Sequence, residues 1–241
     1  MPLRALDIQD SLVLFSGGMD STIALFDRLS RARREGGQVH ALTFSYGQRH
    51  SSEIGHARLI MSRVATSSLY GPIMGRFITH RIHMPAFGSL LAGEPVMKYE
   101  NVEQAEQAAF DNSFVPYRNM IFLTVAAQYA YSLGVNIIAT GLRGGFPDCT
   151  SEWEAHMADM LRESVPSHPI QMRTVTHQSR ADCLTFAMGI PECIDALAIS
   201  MTCFEGSTPP CGHCLPCLKR AQGFSSLGLS DPLETPRYGP R

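Results

Sequence analysis

Phe15-Ser16-Gly17-Gly18-Met19-Asp20-Ser21-Thr22 is the stretch on which the fold turns. It follows a short apolar run, Leu12 to Phe15, and leads into Ser21 to Arg33, where Ile23, Leu25, Phe26 and Leu29 carry helical spacing. A strand therefore meets a helix at two glycines, which let the backbone turn sharply and come close to a ligand. The free N–H groups and dipole of a helix that starts there attract an anion. Ser16, Gly17, Gly18, Ser21 and Thr22 are read as a cradle for the phosphates of a nucleotide, with hydroxyl donors from the serines and the threonine. Asp20 would repel phosphate unless a cation lay between them, which makes it a candidate Mg²⁺ ligand and catalytic residue. The plain alternative is a turn whose Asp-Ser pair caps a helix.

Outward from this loop the chain alternates. Val39 to Phe44 reads as a strand, Glu53 to Val64 as a helix, Arg76 to Met84 as a strand, Arg118 to Leu133 as an apolar helix and Val135 to Thr140 as a buried strand. Pro85 to Ser113 is irregular and long enough to be a functional loop. Such alternation predicts an α/β fold with a doubly wound, mostly parallel sheet that binds ligands at the carboxyl ends of its strands. We expect a nucleotide-binding domain over 1–190 and a small zinc-binding segment over 191–241, where Cys, Pro and Gly are concentrated.

Composition narrows the function classes. In 241 residues the net charge is -2, with 17% charged and 44% hydrophobic residues, so a nucleic-acid partner is disfavoured. No apolar run approaches the ~20 residues of a membrane span. The acidic interruption near the N-terminus argues against a secretory signal, and seven cysteines without one point to a reducing, cytoplasmic setting. Cys203, Cys211, Cys214 and Cys217 follow C-x7-C-x2-C-x2-C, a spacing that suits a closed, structural tetrahedral Zn²⁺ site. An iron–sulfur cluster could use similar gaps, but nothing else in the chain calls for electrons. Cys149, Cys183 and Cys193 are isolated and read as small buried apolar groups.

The pattern S-G-G-x-D-S fixes five residues, which chance supplies at roughly one starting position in a million. Neither a Walker P-loop nor a G-x-G-x-x-G fingerprint is present. The loop resembles that of the PP-loop ATP pyrophosphatases, a Rossmann-like superfamily that transfers AMP to a carboxylate or carbonyl oxygen. Further segments narrow the resemblance: Thr43-Phe44-Ser45-Tyr46-Gly47-Gln48-Arg49-His50, Val115 to Leu123, Phe146-Pro147-Asp148-Cys149, and Cys211-Gly212-His213-Cys214 with Arg220 and Gly223-Phe224. From about Leu12 to Pro232 the chain is similar to the 7-cyano-7-deazaguanine synthase family of the queuosine pathway. The resemblance implies an ATP-dependent ligase that adenylates 7-carboxy-7-deazaguanine, amidates it with ammonia, activates the amide and dehydrates it to a nitrile. It also implies one zinc on the four cysteines and a homodimer.

Residue by residue, Arg49 and Arg118 are candidates to clamp phosphate or carboxylate, against a reading as ordinary surface arginines. Asp148 either accepts hydrogen bonds from the amino-pyrimidine edge of the base or caps a helix near Ser151. Phe114 and Tyr117 either stack on the base or pack in the core. His50 and His56 are either catalytic or, the reading preferred for each, hydrogen-bonded structural histidines. The chain departs from the family at Ser45, where an aspartate is usual. It departs again at Thr140 to Phe146, which is shorter and basic where an acidic insertion is usual, and at Arg180, which stands for a lysine. These departures open a second reading, a ligase that joins the adenylated base to a protein amine. A tRNA-modifying PP-loop enzyme and a non-enzymatic binding module fit the residues less well.

Overall fold

A computed structural model describes residues 10–85, 95–143, 146–175 and 179–233, with the side chains of 109–113 left aside. In chain order the sheet takes β1 (Ser11–Leu14), β2 (Val39–Ser45), β3 (Met74–Arg81), β4 (Ile137–Thr140) and β5 (Gln171–Thr174). The helices are α1 (Met19–Glu35), α2 (Ser52–Thr66), α3 (Val102–Ser113), α4 (Arg118–Leu133), α5 (Ser151–Ser164), α6 (Arg180–Met188), α7 (Pro191–Leu197) and α8 (Leu215–Ser226). All four strand pairings are parallel, in the order β3-β2-β1-β4-β5, so the expected doubly wound sheet is present.

The period of two along each strand divides the core into two layers. Val13, Ala41 and Ala139 face α1, α2, α6, α7 and α8 within one cluster that includes Ile23, Phe26, Leu29 and Phe224. Leu12, Leu42 and Ile138, their sequence neighbours, face the other way, against Leu123 and Ala126 of α4 and Met157 of α5. Phe15, Phe26, Leu29 and Leu123 are essentially inaccessible to water, and burying each such side chain contributes about 1.5–3 kcal/mol. Cys193, Ala196, Leu197 and Phe224, from the segment beyond 190, belong to the first of these clusters. That segment thus shares the main core.

Local signals explain most boundaries. Asn101 Oδ1 accepts from Gln104 N at 2.9 Å and starts α3, a helix inside the stretch whose sequence reads as irregular. Its short apolar repeat hides among Glu and Gln, and residues 86–94 of that stretch lie outside the described residues. Thr150 caps α5 through Trp153 N, so Asp148 is not its cap. Ser179 and Asp182 form a reciprocal capping box at α6. Among the described residues no helix is long and apolar enough to cross a membrane.

Candidate functional site

β1 sits where the strand order reverses, with β2 on one side and β4 on the other, and such a switch point leaves a crevice at the carboxyl ends of the strands. The glycine loop fills one wall of it. Gly17 has φ +88°, and a Cβ there would lie 2.7 Å from Glu53 O and 2.8 Å from Ala57 N, so only glycine lets the loop lie against α2. Gly17 O in turn accepts from Met201 N at 3.0 Å, which ties the loop to the chain just before the first cysteine of the cluster. α1 begins at Gly18 with no side-chain cap hydrogen bond. Ser16 Oγ accepts from Gly18 N at 3.2 Å and lies 3.1 Å from Ser21 Oγ, while Thr22 Oγ1 donates to Gly18 O at 2.8 Å.

A cavity of about 420 Å³ opens over this loop, within the ~300–1,000 Å³ usual for small-molecule sites. Ser16, Gly18, Asp20, Ser21 and Arg118 line it, so the structure brings these expected residues together. Gly17 and Thr22 stand behind the wall, and Arg49, half-buried, is not part of it. Phe114 stacks on Phe146 at 5.7 Å and braces that lining ring rather than lining the cavity itself. Tyr117 is 71% exposed, at φ +61° immediately before α4, and stands outside the wall. Asp148 lies buried behind its neighbour Cys149, which does line the cavity.

Charge is arranged unevenly. Arg143 Nε donates to Asp20 Oδ1 at 3.1 Å, and Arg180 Nη1 lies 3.7 Å from the same oxygen. The backbone makes this possible at Gly141, where a Cβ would come within 2.7 Å of Ser21 N: β4 ends against the first turn of α1. Two guanidiniums thus face one carboxylate beside the glycine loop, and the excess charge is positive. Burial pulls the Arg180 guanidinium below its ordinary range, against the pull of Asp20. Burial likewise opposes the charge on Arg118 and Arg143. For Arg118 the Tyr46 phenol and Asp148 outweigh burial and hold it above the usual range; for Arg143, Asp20 and the Cys183 thiol do so. Burial pushes the Asp148 carboxyl up, and Arg118 opposes it. The Cys149 thiol is pushed up to about 12, by burial first and by Asp148 second, so it is an inert thiol at neutral pH.

Sequence reading assigned no site role to four parts of this wall. Arg143 and Arg180 were visible only as departures from a family pattern. His50 ends the Tyr-Gly-Gln-Arg-His run and Glu53 follows it by three residues, and their mutual contact at 3.4 Å could have been suspected from i,i+3 spacing alone. His56, by contrast, is a structural histidine as expected, with Nδ1 2.7 Å from Ile199 O.

The four sulfur atoms of Cys203, Cys211, Cys214 and Cys217 lie within 4.8 Å of one another. A tetrahedral ion with Zn–S of ~2.3 Å needs sulfurs roughly 3.8 Å apart, so this donor set fits a four-thiolate metal. Hydrogen bonds from the neighbouring Cys214 and Cys217 sulfurs hold Cys203 below the thiol range. Lys219 Nζ meets Glu106 Oε1 at 2.6 Å and joins the following helix, α8, to α3 across the cavity rim.

Comparisons with known proteins bear on this site. The family model of the queuosine biosynthesis protein QueC matches residues 10–228. A protein of Chromobacterium violaceum is 36% identical over 229 residues, covering 93% of each chain. Proteins of Laribacter hongkongensis and Pseudoalteromonas atlantica are 35% and 33% identical, with 94% of this chain and 95% and 99% of theirs covered. All three relatives bear the name 7-cyano-7-deazaguanine synthase.

Proposed function

The chain belongs to the queuosine biosynthesis protein QueC family, and from that premise we propose that it makes 7-cyano-7-deazaguanine from 7-carboxy-7-deazaguanine, ammonia and ATP. The observation that carries this reading is the placement of the glycine loop and three arginines around one cavity at the switch point of the sheet.

A carboxylate resists attack by an amine until one oxygen becomes part of a good leaving group. Here the substrate carboxylate attacks the α-phosphorus of ATP, and pyrophosphate leaves from the glycine loop. Ammonia then displaces AMP to give the amide. A second ATP activates the amide oxygen, and loss of AMP with the remaining amide protons leaves the nitrile. Arg118, anchored by Tyr46 at the start of α4, is placed to hold substrate carboxylate or phosphate. The uncapped first turn of α1 with Ser16 and Ser21 holds the leaving pyrophosphate. Asp148 and Asn119 shape the wall behind the base, Asn119 Nδ2 donating to Asp148 O at 3.4 Å and to Cys149 Sγ at 3.3 Å.

Asp20 Oδ1 accepts from Arg143 and lies 3.7 Å from Arg180, so a Mg²⁺ held by Asp20 would share the carboxylate with two guanidiniums. We assign charge neutralisation at the loop to the two guanidiniums. The four thiolates would hold zinc in a closed site, which supplies rigidity and leaves no open position for catalysis. A cytoplasmic homodimer remains part of the proposal, following the family. The test is stoichiometry with mass spectrometry of the product. Two ATP consumed per base and a nitrile in the presence of ammonia support the reading; one ATP per base, ending at the amide or at a base joined to a protein, refutes it.

A further inference from the structure

Outside the phosphate cradle, one buried polar group on the cavity wall has no assigned role. His50 is 7% exposed and lines the cavity, and its Nδ1 meets no hydrogen-bond partner. Its other nitrogen, Nε2, lies 3.4 Å from Glu53 Oε1. Glu53 is 9% exposed, and its Oε1 also accepts from Gln48 Nε2 at 3.1 Å. Gln48 is fixed in turn, accepting from Tyr46 N at 2.8 Å and donating to Phe44 O at 3.1 Å. Glu53 stands in the first turn of α2, where the helix dipole favours the carboxylate anion. An anion at that distance fixes the imidazole proton on Nε2 and leaves Nδ1 as a bare lone pair. The opposite tautomer would bury an N–H with no acceptor, which costs more than a lone pair left unused. Phe204, one residue past the first cysteine of the cluster, lays its ring 5.7 Å from the imidazole, and Ser52 Oγ donates to Gly206 O at 3.1 Å. The ring is therefore held by Phe204 and by Glu53, with its basic nitrogen unspent.

We propose that His50 Nδ1 is the proton acceptor of the acyl-transfer step, with Glu53 as the residue that positions it. The step rests on the function proposed above. The ammonia nitrogen attacks the carbonyl carbon of the acyl-adenylate and a C–N bond forms. The C–O bond to AMP breaks and AMP leaves with the electron pair. The proton shed by the attacking nitrogen passes to Nδ1, giving an imidazolium whose charge the Glu53 carboxylate balances. Adenylation needs no proton acceptor, since a carboxylate attacks and pyrophosphate leaves. The two half-reactions therefore separate the role of His50 from that of the glycine loop.

The experiment uses the zinc-loaded full chain and its His50→Asn, His50→Gln and Glu53→Gln variants. Pyrophosphate–ATP exchange is measured with 7-carboxy-7-deazaguanine and no ammonia, then amide formation in a single turnover with ammonium chloride. The expected result for both His50 variants is exchange within about threefold of wild type and amide formation down ~10²-fold or more. Glu53→Gln should lose ~10-fold in amide formation alone. Equal loss in both half-reactions, or unchanged amide formation, overturns the assignment. A ¹⁵N spectrum of the wild-type imidazoles tests it without any variant: a proton found on Nδ1 of His50 in the free enzyme at neutral pH overturns it too. Wild-type exchange that ignores 7-carboxy-7-deazaguanine would overturn the proposed function and this step together, whereas wild-type activity with unimpaired His50 variants overturns this step alone.

Discussion

Asp231→Ala removes the counter-charge of the most deeply buried cation in the described residues. Arg220 is 3% and Asp231 7% exposed. The guanidinium donates from Nε to Asp231 Oδ2 at 2.5 Å and from Nη2 to Oδ1 at 2.7 Å. Its remaining donors reach Ser200 Oγ at 2.7 Å, Leu197 O at 2.8 Å and Thr202 Oγ1 at 3.4 Å. Deleting the carboxylate leaves three neutral acceptors around a desolvated charge. Breaking a buried pair from one side costs about 3–5 kcal/mol, a large share of the ~5–15 kcal/mol that holds a typical fold. At about 2–4 °C per kcal/mol for a chain of this size, the melting temperature should fall by roughly 6–20 °C. Differential scanning calorimetry on zinc-loaded, ligand-free protein reads this directly, with guanidinium unfolding as a second probe. A fall smaller than about 2 °C would mean that water reaches Arg220 in solution, and the reasoning from burial would be wrong.

Three further outcomes follow from the site. Elemental analysis should give one zinc per chain and Cys214→Ala should be poorly soluble or locally unfolded, because thiolate ligation and folding of that segment are coupled; absent zinc, or iron with visible absorbance, refutes this. Arg143→Ala should weaken ATP binding ~10-fold or more, the loss expected of one charge-assisted contact to phosphate, and an unchanged affinity measured by calorimetry would return Arg143 to the role of a tether for Asp20. Burial pushes the Tyr46 phenol up to about 12 from an ordinary 10.0. The folded state therefore keeps that proton to higher pH than the unfolded chain, and stability falls as pH rises from about 10 to about 12, by up to about 3 kcal/mol. Denaturant midpoints across that range should fall less steeply in Tyr46→Phe, and identical slopes would show that the phenol is hydrated.

What could be read from the residues was what depends on local periodicity. Leu12 and Val13 announce a strand, Ile23, Phe26 and Leu29 a helix, and the switch between the two periods at Ser16-Gly17-Gly18 places a ligand crevice. β5 was illegible because Gln171–Thr174 is four residues long and half exposed, held by pairing with β4 rather than by its own pattern. α3 was missed because its cap and polar repeat carry less signal than an apolar stripe. The site divides along the same line. Asp20, Ser16, Ser21 and Arg118 sit on elements whose termini the sequence marks. Arg143 reaches Asp20 only because β4 ends against α1, and the lone pair of His50 is recognisable only once Glu53, Gln48 and Phe204 are seen to surround it. Tertiary placement of this kind leaves no trace in spacing. Thr140 to Phe146, one of the departures that open the second reading, includes Gly144 and Gly145, which lie outside the described residues.

The bond from Met201 N to Gly17 O has a consequence for the order in which the enzyme is made. β1, the loop and α1 leave the ribosome well before the partner that fixes Gly17, since Met201 follows it by 184 residues, beside the cysteines. At ~5–20 residues per second a nascent chain spends many seconds with this loop unbraced. ATP meets a finished cradle only after the last segment has folded against it, so a truncated product from a broken message should carry the signature loop and still bind no nucleotide.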